Sequence, residues 1–251
     1  TNALLVNTTG ADNVVVGAYA GDANTAGDNN CALGKSALSA NTTGDNNTAV
    51  GTSTLLVATA SFNTGCGYNA LVATTTGASN TTLGSYAGYV VTSGSNNTFV
   101  GTEAGNNTSP SGAVTTGSNI ICLGNNSVTD LYCADTSISS SDSRDKTDVV
   151  NFTNGLNWIN QLNPITYRWD KRTWYDDNTP DGSKKRNKKH IGFLAQDVLA
   201  VEGNPTDKDD MLVVNLNEDD TAYGLKYERL IPVLVNAIKE LSAKVTALEA
   251  G

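Results

Sequence analysis

The sequence predicts a mainly β protein: a trimeric β-roll or β-helix-like repeat fibre with units of about 17 residues, then a small α+β domain ending in a coiled-coil helix. Three observations carry this. A glycine recurs at near-constant spacing through the first half. Charge and tryptophan are concentrated in the second half. The last twenty or so residues repeat apolar side chains at heptad spacing.

The glycine anchors are Gly17, Gly34, Gly51, Gly67, Gly84, Gly101 and Gly124, at spacings of 17, 17, 16, 17, 17 and 23. Similar text precedes them, as in Asn29-Asn30-Cys31-Ala32-Leu33, Asn46-Asn47-Thr48-Ala49-Val50 and Asn96-Asn97-Thr98-Phe99-Val100. Such an internal repeat fixes the architecture before any local propensity does. Asn-Asn and Gly tolerate positive φ and read as turns. The pieces between them read as strands of four or five residues. Gly, Asn and Thr disfavour helix, and the apolar spacing is not 3.6. One repeat cannot fold alone, whereas stacked copies bury a continuous core. Aliphatic residues are few per repeat, so a core shared by three chains is expected over a monomeric solenoid.

Charge divides the chain. Residues 1–140 hold one base, Lys35, and seven acids; residues 141–251 hold fifteen bases, eighteen acids and all three tryptophans. Two regions are expected: 1–138, the repeat fibre, which also makes the receptor contact, and 139–251, the folded domain. A net charge of −9 and a pI near 4.5 argue against a nucleic-acid or anionic-membrane binder. No run of 18 apolar residues predicts membrane insertion. Cys31, Cys66, Cys122 and Cys133 show no CxxC spacing, so no metal site and no cofactor is expected. The chain opens at Thr1 rather than Met, which points to a piece of a longer chain with a missing N-terminal part.

Two motifs are set aside. Gly34-Lys35-Ser36 lacks the glycine that a phosphate-binding loop needs five positions earlier, where Asn29 stands. The Asn-x-Ser/Thr sequons follow from an Asn/Thr-rich repeat.

In the second region a short helix is expected within Phe152–Leu162, stopped by Pro164, then a strand over Ile165–Trp169. Asp176–Lys189 reads as a solvated basic loop. His190–Val198 reads as a strand passing into a helix, and Met211–Leu216 as a strand. Asn217–Asp220 reads as an acidic turn without the pattern of a calcium loop. Ile231, Leu234, Ile238, Leu241, Val245 and Leu248 step by 3, 4, 3, 4, 3, an a/d seam within a coiled coil expected over 228–250. A parallel oligomeric bundle is favoured over a helix packed only on its own domain.

Four motifs then occur in order: Ser141-Asp142-Ser143-Arg144-Asp145-Lys146; Leu156 to Tyr167; Gly192-Phe193-Leu194-Ala195-Gln196-Asp197-Val198; and Leu225 to Leu248. Together they resemble the intramolecular chaperone of phage tail spikes and tail fibres, the auto-processing domain of the S74 peptidase family. The repeats resemble the left-handed β-rolls of trimeric adhesin heads and tail fibres. The first resemblance implies a serine endopeptidase that acts once, in cis. Ser141 is then the nucleophile and Lys146 the general base, with Asp142, Arg144 and His190 as supporting residues. The bond broken is Ser140–Ser141. The family position between the arginine and the lysine is often apolar; here it is Asp145.

The chemistry adds its own demands. A lysine at its ordinary pKa of about 10.4 is almost wholly protonated at pH 7, so a lysine base needs desolvation. A five-residue offset puts the two side chains on opposite faces of a strand and about 140° apart on a helix, so the segment must turn. The expected protein is a homotrimeric fibre or spike fragment of a virion that contacts a host cell-surface receptor, a glycan among the candidates. Its chaperone domain is made in the host cytoplasm and lost on maturation. The alternative is a trimeric surface adhesin with a permanent, non-cleaving cap.

Overall fold

The structure, a computed structural model, describes residues 2–131 and 141–251. It forms two compact units, Thr1–Thr129 with Asn217–Thr221, and Asp130–Leu216 with Ala222–Gly251.

The first unit is a β-solenoid. Seven strands, β1 (Val14–Val16), β2 (Cys31–Leu33), β3 (Thr48–Val50), β4 (Thr64–Cys66), β5 (Thr81–Leu83), β6 (Thr98–Val100) and β7 (Ile121–Leu123), stack in chain order as one parallel sheet. The register is rung on rung, so that Val15, Ala32, Ala49, Gly65, Thr82, Phe99 and Cys122 form one column. Each strand is three residues long, shorter than the expected four or five, because positive φ brackets it. Asn29, Asn46, Phe62, Ser79, Asn96 and Asn119 take φ of 56–65° just ahead of the strands, and the first six glycine anchors take φ of 106–141° just after them.

Those anchors are glycine for two reasons. Their φ is unfavourable for any residue with a Cβ. They also stack: a Cβ on Gly34 would lie 2.5 Å from the Gly51 carbonyl oxygen. The longer interval before Gly124 is taken up around Asn106–Gly112, where Ser109 is buried and its hydroxyl donates to the Gly112 carbonyl.

The interior is narrow. Ala20, Ala37, Leu38, Ala49, Leu55, Leu71, Ala87 and Phe99 fill much of it. The sparse aliphatics are compensated along the axis, within one chain. Asn30, Asn47, Asn63, Asn80 and Asn97 are buried, and each amide ties two rungs. The Asn63 Oδ1 accepts from the Asn80 backbone N–H at 3.0 Å, and its Nδ2 donates to the Gly77 carbonyl at 2.9 Å. The same pair of bonds recurs at Asn30, Asn47, Asn80 and Asn97. A buried amide without partners would cost about 1–3 kcal/mol; here every rung supplies partners to its neighbour. Each rung thus closes on its own chain.

The second unit is small and mixed. α1 (Leu156–Ile159) precedes β8 (Ile165–Tyr167), which pairs antiparallel with β9 (His190–Gly192) across the basic loop. α2 (Ala195–Val201) follows, then the hairpin of β10 (Val214–Leu216) and β11 (Tyr223–Leu225), then α3 (Leu230–Glu249). Its core holds Trp158, Val198, Met211, Val213, Val214, Leu230 and Val233. Glu202, at the end of α2, accepts from the backbone N–H groups of Leu212, Val213 and Val214. Glu240 of α3 accepts from the Leu156 N–H at 3.2 Å, satisfying a donor that the start of α1 leaves open.

A serine–lysine turn and an open helical seam

Asp142 organises the segment from Ser141 to Lys146. Its side chain accepts from the Arg144 backbone N–H at 2.9 Å, capping a single 3-10 turn over Ser143–Asp145. The turn closes with the Lys146 N–H donating to the Ser143 carbonyl at 3.4 Å. This reversal brings the ends of the hexapeptide together, and Lys146 Nζ donates to Ser141 Oγ at 2.7 Å. Neither a strand nor a continuous helix would make that contact at a five-residue offset.

The neighbouring charges pair with each other. The Arg144 guanidinium grips the Asp142 carboxylate through Nε at 3.0 Å and a second nitrogen at 2.6 Å. That pairing holds the Asp142 carboxyl below the usual carboxylate range and pushes the Arg144 guanidinium further up. Paired in this way, the two charges largely offset one another at Lys146. Ser141 and Lys146 are both exposed in the single chain.

His190 stands on β9, its ring stacked on Tyr167 at 5.5 Å and near Trp169 at 6.3 Å. Among the predicted residues the structure joins Ser141 with Lys146, and Asp142 with Arg144. Ser140 and Cys133 lie outside the described residues.

The predicted seam is exposed along its whole length. Ile231, Leu234, Ile238, Leu241, Val245 and Leu248 all face solvent, Ile238 at 66%. A second stripe, Leu230, Val233 and Ala237, is buried in the domain, Val233 at 1%. One helix therefore has two apolar faces, one used by its own domain and one left open to solvent among the described residues.

Two roles were missed from the sequence. Asp142 caps the turn as well as bearing charge, and an acidic residue followed by a short polar run was the available signal. The second asparagine of the pairs Asn29-Asn30, Asn46-Asn47 and Asn96-Asn97 is a buried tie rather than a turn residue, and only stacking reveals that.

Residues 141–206 match the family model of Peptidase S74, the chaperone of endosialidase. The chain carries an S74 chaperone domain. The match to this domain begins at Ser141 and ends beyond α2, so β10, β11 and α3 lie outside it. The resemblance of Leu225–Leu248 to the S74 chaperone therefore rests on those residues alone. No curated protein and no solved structure matches the chain. Among the described residues no helix is long and apolar enough to cross a membrane.

Proposed function

We propose that the S74 domain, residues 139–251, gathers three chains, guides folding of the repeat region, residues 1–138, and then releases itself by cutting the Ser140–Ser141 bond. Ser141 attacks the Ser140 carbonyl carbon, and Lys146 takes the hydroxyl proton. The proton then passes to the departing amine at residue 141, and water later hydrolyses any ester left on Ser140. The observation that carries this reading is the 2.7 Å contact between Lys146 Nζ and Ser141 Oγ, at the residue where the family match begins.

The contact is local, but the desolvation a lysine base needs is not supplied by the single chain, where Lys146 is exposed. Assembly supplies it in this reading, which makes cleavage a report of correct folding. Asp142 and Arg144 hold the turn, and His190 supports from the β8–β9 hairpin.

Assembly runs through Ile231 to Leu248. An Ile, Leu or Val side chain moved from water to an apolar contact stabilises by about 1.5–3 kcal/mol, and six such positions face outward. Chains held there keep their solenoids at high effective concentration. Release leaves a fibre that cannot retrace its assembly path, which is kinetic stability. In this reading the chain is a tail fibre or spike fragment of a virion, with a host receptor contacted by the solenoid and the S74 domain lost on maturation.

The test is a denaturing gel of wild type, Ser141→Ala and Lys146→Ala. Two fragments from wild type, none from Ser141→Ala, and cleavage slowed by about 10²-fold or more in Lys146→Ala are expected. Intact chains in all three would favour a permanent cap.

A further inference from the structure

The outward face of the solenoid sheet carries no charge. Along each strand the middle residue points inward, and the first and third point out. The third positions are Val16, Leu33, Val50, Cys66, Leu83, Val100 and Leu123, and the first positions are Val14, Cys31, Thr48, Thr64, Thr81, Thr98 and Ile121. The third-position column is aliphatic or cysteine on every rung, and five of its seven members are large hydrophobics open to solvent.

We infer that this column is the face along which solenoids of separate copies pack, third positions toward third positions, in the assembly proposed above. Three observations choose a second copy as the occupant. The column repeats at the rung spacing of about 4.8 Å over seven rungs, and another copy of the same solenoid offers that period in register. Residues 1–129 are acidic, with Asp12, Asp22, Asp28, Asp45 and Glu103 against Lys35, so like-charged copies repel wherever those groups meet; none of them lies on the strands of this face. The same chain also carries the open α3 seam, a second surface shaped for self-association.

The size of the face explains why it needs the S74 domain. Seven rungs at about 4.8 Å and a width of about 10 Å give about 300 Å² per copy, against roughly 800 Å² per partner in a stable interface. Alone the face is too small to recruit free copies, whereas copies once packed along it are held by the kinetic stability argued above. Tethered at α3 it need not do so unaided, because the second contact is then intramolecular.

Two native cysteines make the test. Cys66 sits in the third-position column, and Cys31 in the first-position column of another rung. The full chain is prepared in two forms. One is Cys31→Ser with Cys122→Ala and Cys133→Ser, which keeps Cys66 alone; the other is Cys66→Ser with Cys122→Ala and Cys133→Ser, which keeps Cys31 alone. Each is sedimented, then treated with a short bismaleimide. The expected result is a trimer in both, with a covalent dimer of the repeat-bearing band in the Cys66 form and its loss in the Cys31 form. A trimer without the Cys66 dimer, or with equal dimer from Cys31, overturns this assignment and leaves the proposed assembly standing. A monomer in both overturns the assembly itself and this face with it. As a second readout, Leu83→Lys lowers Cys66 cross-linking while the β circular dichroism is retained; unchanged cross-linking there also counts against the assignment.

Discussion

At the scale of single residues, one carboxylate decides whether the hexapeptide runs on as a linker or turns back on itself. Asp142 caps the turn, pairs with Arg144, and thereby sets Lys146 against Ser141. Because Arg144 holds that carboxyl below the usual range, the cap is in place above that range. It is lost as the pH falls through the lowered value. Hydrogen exchange at the Arg144 amide, followed across the acid range, should show protection that persists below the usual carboxylate titration and then vanishes. An Asp142→Ala chain should show no such transition. The residue types of this site were legible in the sequence because Ser, Asp, Arg and Lys stand in a fixed order. The cap was not, since it depends on which way a short side chain turns.

At the scale of elements, the solenoid rests on two columns that no single rung can satisfy. Glycine anchors pass so close to the next rung that a Cβ on Gly67 would lie 2.3 Å from the Gly84 carbonyl oxygen. Gly67→Ala should therefore destabilise the solenoid by roughly 3 kcal/mol. Gly182→Ala, also at positive φ but with nothing within 4 Å, should cost about 1 kcal/mol. Urea unfolding of the two variants checks the contrast. Asn63→Ala removes two ties at once and strands the buried Asn80 N–H, which should cost about 2–4 kcal/mol by the same measurement. The anchors were visible as a period because backbone crowding admits one residue type. The asparagines carried an ambiguous signal, since the same residue serves turns and buried ladders. Strand lengths were overestimated, because positive φ on both flanks leaves no trace in the side-chain pattern.

At the scale of the whole molecule, α3 joins the folding of one domain to the proposed association of several chains. The sequence showed one heptad seam; it did not show that Leu230, Val233 and Ala237 form a second stripe one residue out of phase. Adjacent stripes merge into one broad apolar band until packing separates them. The two faces should respond differently to charge. Val233→Asp buries an unpaired carboxylate and should unfold the second unit, with a loss of about 3 kcal/mol or more. Ile238→Asp lies on the exposed face and should leave the circular dichroism unchanged while abolishing association in sedimentation. If the wild type sediments as a monomer at all concentrations, the open seam is not an assembly surface.

In the proposed function association prepares the site and cleavage follows it, so the covalent state of the chain is the most direct witness. The decisive measurement is the intact mass of the wild-type chain after assembly. Two species are expected, one ending at Ser140 and one beginning at Ser141, with only the full 26.1 kDa chain in Ser141→Ala. A wild-type sample that assembles yet shows only the full-length mass, or a cut at any other bond, would contradict the proposed function.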